Sequence, residues 1–160
     1  YIPQGFMVDS EKYQYKLAWF ARLRKYFANN FSKTDPVIWV GDFNIAKEDI
    51  DVYDPHRLRG HVCFNPEVQQ ALAELIQWGF VDLFREHCKE AGNYSFWDYR
   101  MPRALSRNRG WRLDYIMATK VLADKCTDCY IDKKPRQLPK PSDHTPVVAE
   151  FKLSTQTDRN

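Results

Sequence analysis

The sequence predicts an α/β or α+β domain, in which strands alternate with helices and loops. Three segments support this prediction. Apolar residues recur every three or four positions across 11–30, as on one face of a helix. The apolar run at 37–40 is rich in β-branched and aromatic residues and is typical of a strand buried on both faces. Alternation across 111–117 indicates a second strand. A length of 160 residues suits one domain.

The remaining elements follow from turn and cap signals along the chain. Asp9 or Ser10 is expected to cap the first helix, and Asp35-Pro36 separates it from the first strand. Beyond it we predict a loop over 47–62, a helix from 66 to about 78, a short buried segment over 80–84, a helical turn over 85–90, a ring-rich strand over 94–99, the strand over 111–117, a helical turn over 121–125, a short strand at 130–131, a loop over 133–141 and a last strand over 147–153.

Composition limits the class of protein. Apolar residues make up 44%, charged residues 28% and aromatic residues 15%, which indicates an ordered globular domain. No run approaches the length of a membrane span, so no membrane partner is expected. The net charge of +3 permits a polyanionic partner without requiring one. Four sparse cysteines with no signal peptide before them predict a cytoplasmic protein, and Cys126 and Cys129 are expected to be ordinary thiols.

The stretch Gly41-Asp42-Phe43-Asn44 follows the first strand. If the extended backbone continues, Asp42 and Asn44 point the same way, because strand side chains alternate with period two. Ligands in open α/β sheets sit at the carboxyl ends of strands, so this pair is a candidate metal and phosphate site. An Asx turn that leaves a core strand is an equally good interpretation.

Two further motifs carry acidic or imidazole groups at strand ends: Arg112-Leu113-Asp114 and Ser142-Asp143-His144. Taken singly, each has an ordinary interpretation as a turn. Together with Asp42 they offer hard oxygen ligands and one imidazole. This combination suits Mg²⁺ or Mn²⁺ rather than a thiolate-bound zinc.

A basic stretch separates the ring-rich segment from the strand over 111–117. It carries Arg100, Arg103, Arg107, Arg109 and Arg112, interleaved with Trp97, Tyr99 and Trp111. Arginines can neutralise phosphates while rings stack on bases. A solvated basic loop beside buried aromatic residues is the competing interpretation.

Five longer motifs extend these patterns over nearly the whole chain: YIPQG at 1–5, GDFNIA at 41–46, YSFWDYR at 94–100, GWRLDY at 110–115 and PSDHTPV at 141–147. Together they resemble the exonuclease III and AP endonuclease group of the endonuclease/exonuclease/phosphatase superfamily. GDFN and SDH alone would also fit phosphatases of that superfamily. YIPQG, FWDYR and GWRLDY are specific to its DNA-repair branch.

The resemblance implies a fold and an activity. Residues 1–153 should form the C-terminal half of a four-layer sandwich, in which two sheets face each other and helices lie outside, followed by a polar tail at 154–160. The implied function is metal-dependent hydrolysis of DNA phosphodiesters at abasic sites, with removal of nucleotides from 3′ ends. The implied cofactor is Mg²⁺ or Mn²⁺, and the implied partner is duplex DNA with abasic sites or 3′ ends.

The resemblance also implies roles for individual residues. The catalytic set is Tyr1, Asp42, Asn44, Asp114 and His144, and Tyr1 should contact the scissile phosphate while Asp114 orients His144. The metal set is Asp42, Asn44, Asp143 and His144. The DNA-binding set is Gln4, Phe96, Arg100, Trp111 and Leu113, of which Phe96, Trp111 and Leu113 match a pocket for a flipped-out abasic sugar. Either Asp42 or His144 could be the general base.

This sequence differs from the family pattern at its start. The family carries an upstream half with an early asparagine and a metal-binding glutamate, which residues 1–160 do not include. Residues 1–160 alone are therefore expected to have little activity. They should also self-associate through a sheet face that the upstream half would cover, whereas the full-length protein should be a monomer. Two alternatives remain: a phosphatase of the same superfamily, or a non-catalytic DNA-binding module that uses the arginines alone.

Overall fold

The computed structural model describes residues 1–153, in which helices pack on two antiparallel sheets. The elements are the helices α1 (Glu11–Asn30), α2 (Pro55–Leu58), α3 (Pro66–Gln77), α4 (Leu83–His87) and α5 (Lys120–Ala123), the 3-10 helices Asp49–Asp51 and Pro135–Gln137, and the strands β1 (Ile38–Asp42), β2 (Phe80–Asp82), β3 (Asp114–Thr119), β4 (Cys126–Ile131) and β5 (Val147–Phe151). The predicted tail at 154–160 lies outside the described residues. None of the helices within 1–153 combines the length and apolar character that a membrane crossing requires.

The predicted mixture of helices and strands is confirmed. Strand β3 is the centre of a three-stranded sheet and pairs antiparallel with β1 on one side and β2 on the other. Strands β4 and β5 form a second antiparallel sheet. Helix α1 starts at the predicted cap, since the Ser10 side chain accepts a hydrogen bond from the backbone N–H of Tyr13.

The core lies on both faces of the three-stranded sheet. Helices α1 and α3 cover one face, where the ring of Phe27 lies 4.8 Å from that of Phe80 and 5.7 Å from that of Trp39. The second sheet covers part of the other face through a smaller cluster that includes Ala118 and Cys129. The described residues therefore stack as helices, a sheet and a second sheet.

The prediction that the first strand is buried on both faces is wrong. Strand β1 lies at the edge of its sheet in the described part of the chain, and its side chains alternate between the core and solvent. Trp39 packs into the core, whereas Ile38 is 45% exposed and Val40 is 56% exposed. The reason is that the second sheet packs beside β3 and leaves this face of β1 uncovered.

The predicted strand over 94–99 is also wrong. The segment forms only isolated bridges, from Phe96 to Trp111 and to His144, and no continuous strand. The rings of this segment reflect packing rather than strand formation: Tyr94 and Trp97 are buried in a small cluster of their own. The neighbouring strand is shorter than predicted, since β3 begins only at Asp114.

The predicted surface loop over 47–62 contains α2 and the 3-10 helix Asp49–Asp51. Side-chain caps stabilise both, because Asp54 accepts from the N–H of Arg57 and Asp51 accepts from the N–H of Glu48. Sequence periodicity could not reveal elements of three or four residues.

Arg112 fits neither interpretation of the basic stretch, because it is neither a solvated side chain nor free to bind a phosphate. Its guanidinium is fully buried and binds the Asp51 carboxylate, with Nε 2.7 Å from Oδ1 and Nη2 3.1 Å from Oδ2. Arg85 binds the same carboxylate at 2.5 Å, and Arg112 also reaches Asp82 at 2.8 Å. Although burial opposes the charged form of Asp51, the two arginines outweigh it and hold the pKa of this carboxyl below its usual range. This buried network joins the loop over 47–62 to β2, to α4 and to the segment that leads into β3.

Asp51→Asn should destabilise the fold by roughly 3–5 kcal/mol at neutral pH, because it leaves two buried guanidinium groups without their shared counter-charge. Urea unfolding of both proteins measures the difference. Because the folded pKa of Asp51 is depressed, its contribution is present above the unfolded pKa and is lost as pH falls toward the folded one. The difference should therefore shrink below about pH 4.

Asp49→Asn is the matched control on the same 3-10 helix. Asp49 binds Arg59 on the surface, where both side chains are more than half exposed, so its loss should cost less than about 1 kcal/mol. Equal costs for the two variants would show that the Asp51 network does not stabilise the fold.

Candidate active site

The site forms where β1 ends and β3 begins. Because the two strands are antiparallel, the last residue of β1, Asp42, pairs directly with the first residue of β3, Asp114. Directly opposed residues point to the same face of a sheet. Two carboxylates that are 72 positions apart in sequence thus share one spot.

Asn44 organises the turn that follows β1. Its backbone N–H donates to Asp42 Oδ1 at 2.8 Å, and its Nδ2 donates to Asp42 Oδ2 at 3.0 Å and to the carbonyl of Ile2 at 3.0 Å. The φ angle of Asn44 is +50°, a left-handed conformation that asparagine tolerates. The Asx turn, one of the two interpretations of this stretch, is present.

The environment of Asp42 favours its protonated form. Burial raises the pKa of Asp42, and the negative charge of Asp114 adds to this effect. The hydrogen bond from Asn44 and the nearby imidazole of His144 oppose it only in part. A carboxylate with a raised pKa is a stronger base than an ordinary aspartate.

His144 bridges the two carboxylates. Its Nδ1 lies 2.8 Å from Asp114 Oδ2, and its Nε2 lies 4.0 Å from Asp42 Oδ2. Burial of the ring lowers its pKa, but the hydrogen bond and charge of Asp114, with Asp42 and Asp143, outweigh burial, so the pKa of His144 is raised. The predicted pairing of Asp114 with His144 is present in the structure.

Ser95 holds this pair in place and was missed in the sequence. Its buried Oγ accepts the backbone N–H groups of Leu113 and Asp114, each at 3.1 Å. Its carbonyl accepts the N–H of Thr145 at 2.8 Å. Ser95 therefore ties the start of β3 to the segment that carries His144. The YSFWDYR motif contains Ser95, but nothing in the motif distinguishes it from the rings around it.

A cavity of about 610 Å³ opens beside these groups. Of the predicted site residues, those that line it are Tyr1, Gln4, Asp42, Asn44, Phe96, Arg100, Trp111, Leu113, Asp143 and His144. Asp114 does not line the cavity, but it is hydrogen-bonded to His144, which does. Tyr1 is 80% exposed, whereas Trp111 and Leu113 are buried. The cavity thus combines polar groups with an apolar wall.

Part of the cavity wall comes from the loop over 47–62 and its continuation, which the sequence did not link to the site. These residues are Tyr53, Leu58, His61 and Cys63. The His61 ring lies 4.9 Å from that of Trp111, and its Nδ1 accepts the N–H of Cys63 at 3.1 Å. This segment has no periodic pattern, so only the tertiary fold brings it to the cavity.

The basic stretch is divided between two environments. Arg100, Arg103, Arg107 and Arg109 are exposed, and Arg100 and Arg109 also line the cavity. Arg100 binds the Asp98 carboxylate at 2.8 Å and 3.0 Å. Arg112 is buried in the network described above. Of this stretch, only Arg100 and Arg109 therefore lie at the cavity, whereas Arg103 and Arg107 are exposed elsewhere on the loop.

The residues of this site offer few metal ligands. Within residues 1–153, no three side chains of the His, Cys, Asp and Glu types converge to form an ion site. Asp42, Asn44 and Asp143 nevertheless bring hard oxygen atoms to the cavity. Mg²⁺ suits such a site, because it is often bound through only one or two carboxylates and keeps several waters.

Comparisons with known proteins identify relatives of this chain. Exodeoxyribonuclease III of Haemophilus influenzae is 36% identical over 160 residues, which cover 95% of this chain and 60% of that protein. An AP endonuclease structure from Archaeoglobus fulgidus superposes with a TM-score of 0.93 at 47% identity and covers 96% of this chain and 60% of the other. The 3′ phosphatase NExo from Neisseria, solved with a product DNA hairpin, gives a TM-score of 0.91 at 33% identity and covers 96% and 59%.

The chain thus spans about 60% of the length of these relatives. The model of the Endonuclease/Exonuclease/phosphatase family matches residues 5–144. This match includes the turn at Asp42, the start of β3 at Asp114 and the segment that ends in His144. The chain belongs to the endonuclease/exonuclease/phosphatase family.

Proposed function

We propose that the protein hydrolyses phosphodiesters of duplex DNA, both beside abasic sites and at 3′ ends. One observation carries the proposal: Asp42 and the hydrogen-bonded pair of Asp114 and His144 meet at a cavity with an apolar wall. The names of the relatives, an exodeoxyribonuclease, an AP endonuclease and a 3′ phosphatase bound to a DNA hairpin, support DNA as the substrate.

The raised pKa values of Asp42 and His144 support a different catalytic role for each of these two groups. Asp42 is the general base, because a carboxylate with a raised pKa accepts a proton from water more readily. His144 with its raised pKa is the cation that stabilises negative charge on the phosphate. Asp114 holds the imidazole through Nδ1 and leaves Nε2 to face the reacting groups.

The other cavity residues are assigned to binding the DNA. Tyr1 is exposed at the cavity and is positioned to contact the scissile phosphate. Phe96, Trp111 and Leu113 supply the apolar wall for an extruded abasic sugar, which lacks a base and is therefore cheap to flip out. Gln4 and Arg100 lie at the same cavity and contact the flanking strand.

Among the predicted ligands, Asn44 and Asp143 would hold the metal ion, and Asp42 is kept for proton transfer because a carboxylate bound to a cation is a weaker base. A bound Mg²⁺ supplies charge stabilisation to the phosphate and its leaving oxygen. His144 is assigned to the phosphate rather than to the ion, because carboxylates and carbonyl oxygens suit Mg²⁺ or Mn²⁺ better than imidazole does.

The activity test uses a chain as long as the relatives, because residues 1–160 span about 60% of their length. We would join these residues to the part of the Archaeoglobus fulgidus AP endonuclease that they do not cover. This protein should incise a labelled duplex with one abasic site when Mg²⁺ is present. Asp42→Asn and Asp114→Asn should each lower the single-turnover rate by about a hundredfold or more, because each removes a proton-handling group or its positioning partner.

Asp124→Asn is the control, since Asp124 pairs with Lys120 on the surface and its loss should leave the rate unchanged. DNA affinity, measured by fluorescence anisotropy without Mg²⁺, should change little in the three variants. Full activity of Asp42→Asn would contradict the proposed site. DNA binding that ignores both chelators and Asp42→Asn would instead favour a non-catalytic binding module.

A phosphatase of the same family is the second candidate, supported by the name of the Neisseria relative. It predicts rapid release of phosphate from a 3′-phosphorylated end or a soluble monoester, with no incision of the abasic duplex. Comparing the three substrates under the same conditions separates the two functions.

We also propose that residues 1–160 by themselves show little activity and associate with a second copy. Ile38, Val40 and Ile116 lie on one face of the sheet, and the first two are about half exposed. An exposed apolar strip on a sheet face favours packing against the same face of a second copy. Val40→Lys should therefore shift sedimentation of residues 1–160 toward the monomer.

Leu138→Lys is the matched control, because Leu138 is a similarly exposed apolar residue outside the strands. It should leave the association unchanged. A wild-type chain that remains monomeric at high concentration would contradict this proposal, and so would incision by residues 1–160 at the rate of the joined protein.

A further inference from the structure

Helix α1 carries a buried ammonium group beneath the site. The Lys16 side chain is fully buried, and its Nζ donates to the backbone carbonyls of Asn44 at 2.8 Å, Gln4 at 3.0 Å and Val62 at 3.2 Å. Its three donors therefore have three acceptors. None of these acceptors is a carboxylate.

The three carbonyls belong to three segments that are distant in sequence and line the same cavity. Gln4 and Asn44 line the cavity themselves, and Val62 lies between the lining residues His61 and Cys63. No other side chain in the described part of the chain hydrogen-bonds to all three segments. Lys16 is thus the common point at which they meet.

Simple packing does not account for a lysine at this position. A buried ammonium loses its hydration, and an unbranched apolar side chain would fill similar space without that cost. What the ammonium adds is the set of three hydrogen bonds. Their effect is to fix where three carbonyl groups point.

The contact with Asn44 leads directly to the site. Asn44 has the left-handed φ of +50°, and its carbonyl is held by Lys16. Its side-chain amide and backbone N–H in turn hold both oxygens of Asp42. Asn44 is therefore the one residue that connects Lys16 to the Asp42 carboxylate, so a substitution at Lys16 is expected to displace that carboxylate.

Tyr13 extends this arrangement by one helical turn. It is also buried, and its hydroxyl lies 2.7 Å from Asn65 Oδ1 and 2.8 Å from Glu67 Oε2. Residues three apart lie on the same face of a helix. The first turns of α1 thus hold the cavity wall at Val62 and the chain that continues from it into α3.

We propose that Lys16 is a positioning residue for the hydrolytic site: its ammonium group holds Asn44, and with it Asp42, in register with the wall formed by His61 and Cys63. This inference rests on the proposed function for its kinetic consequence. Its structural consequence does not depend on that function.

Lys16→Met tests the proposal, because methionine keeps an unbranched side chain and removes all three donors. In residues 1–160, amide hydrogen exchange should rise about tenfold or more in 41–46 and 61–64, while α3 keeps its protection. In the joined protein, kcat should fall about tenfold to a hundredfold with KM changed little, because the substitution misplaces the catalytic carboxylate and leaves the DNA-binding side chains intact.

Phe20→Leu is the matched control, since Phe20 is a buried residue on the same helix that does not line the cavity. It should destabilise the fold without selective exchange at the two segments and without loss of kcat. If Lys16→Met does not fold, Lys16→Gln, which retains an amide donor, should give the same pattern in weaker form.

Unchanged exchange at 41–46 and 61–64 would overturn the proposal, and so would a kcat equal to that of the wild type. If the joined wild-type protein shows no hydrolysis at all, the proposed function fails. The exchange measurement then decides the role of Lys16 separately.

Discussion

The antiparallel pairing of β1 with β3 is the constraint on which the site depends. It sets Asp42 against Asp114 at the point where one strand ends and the other begins. A shift of one residue in this register would send one of the two carboxylates to the opposite face of the sheet. The aromatic core that packs Trp39 and Met117 against α1 and α3 resists such a shift, because a slip would turn one of these side chains away from the core.

Buried polar side chains fix the irregular segments around the site, because these segments do not belong to either sheet. Ser95 binds the start of β3, Lys16 binds three cavity segments, and Asp51 binds two arginines. Each of these side chains is fully buried. Loops that surround a cavity have few ladder partners, so buried side chains must satisfy their backbone groups. The precision of the site therefore comes from polar groups placed outside it.

The acidic groups and the exposed arginines around the cavity lie on different segments. Acidic groups and His144 lie at the strand ends, the apolar wall lies beside them, and the exposed arginines lie along the loop over 100–109. Such an order suits a polyanion that lies along the surface while one phosphate and one sugar enter the cavity. The buried Arg112 shows that arginines close together in sequence need not share a role.

The sequence by itself determined the long helices, most of the strands, the family and the predicted site residues that line the cavity, because these depend on periodicity, caps and local motifs. It also indicated the contact between Asp114 and His144. Only the tertiary structure decided that β1 is half exposed, that 94–99 is not a strand and that Arg112 is buried. The same is true of Ser95, His61 and Lys16. Their roles arise from contacts between segments distant in sequence, and such contacts leave no local pattern for a sequence to display.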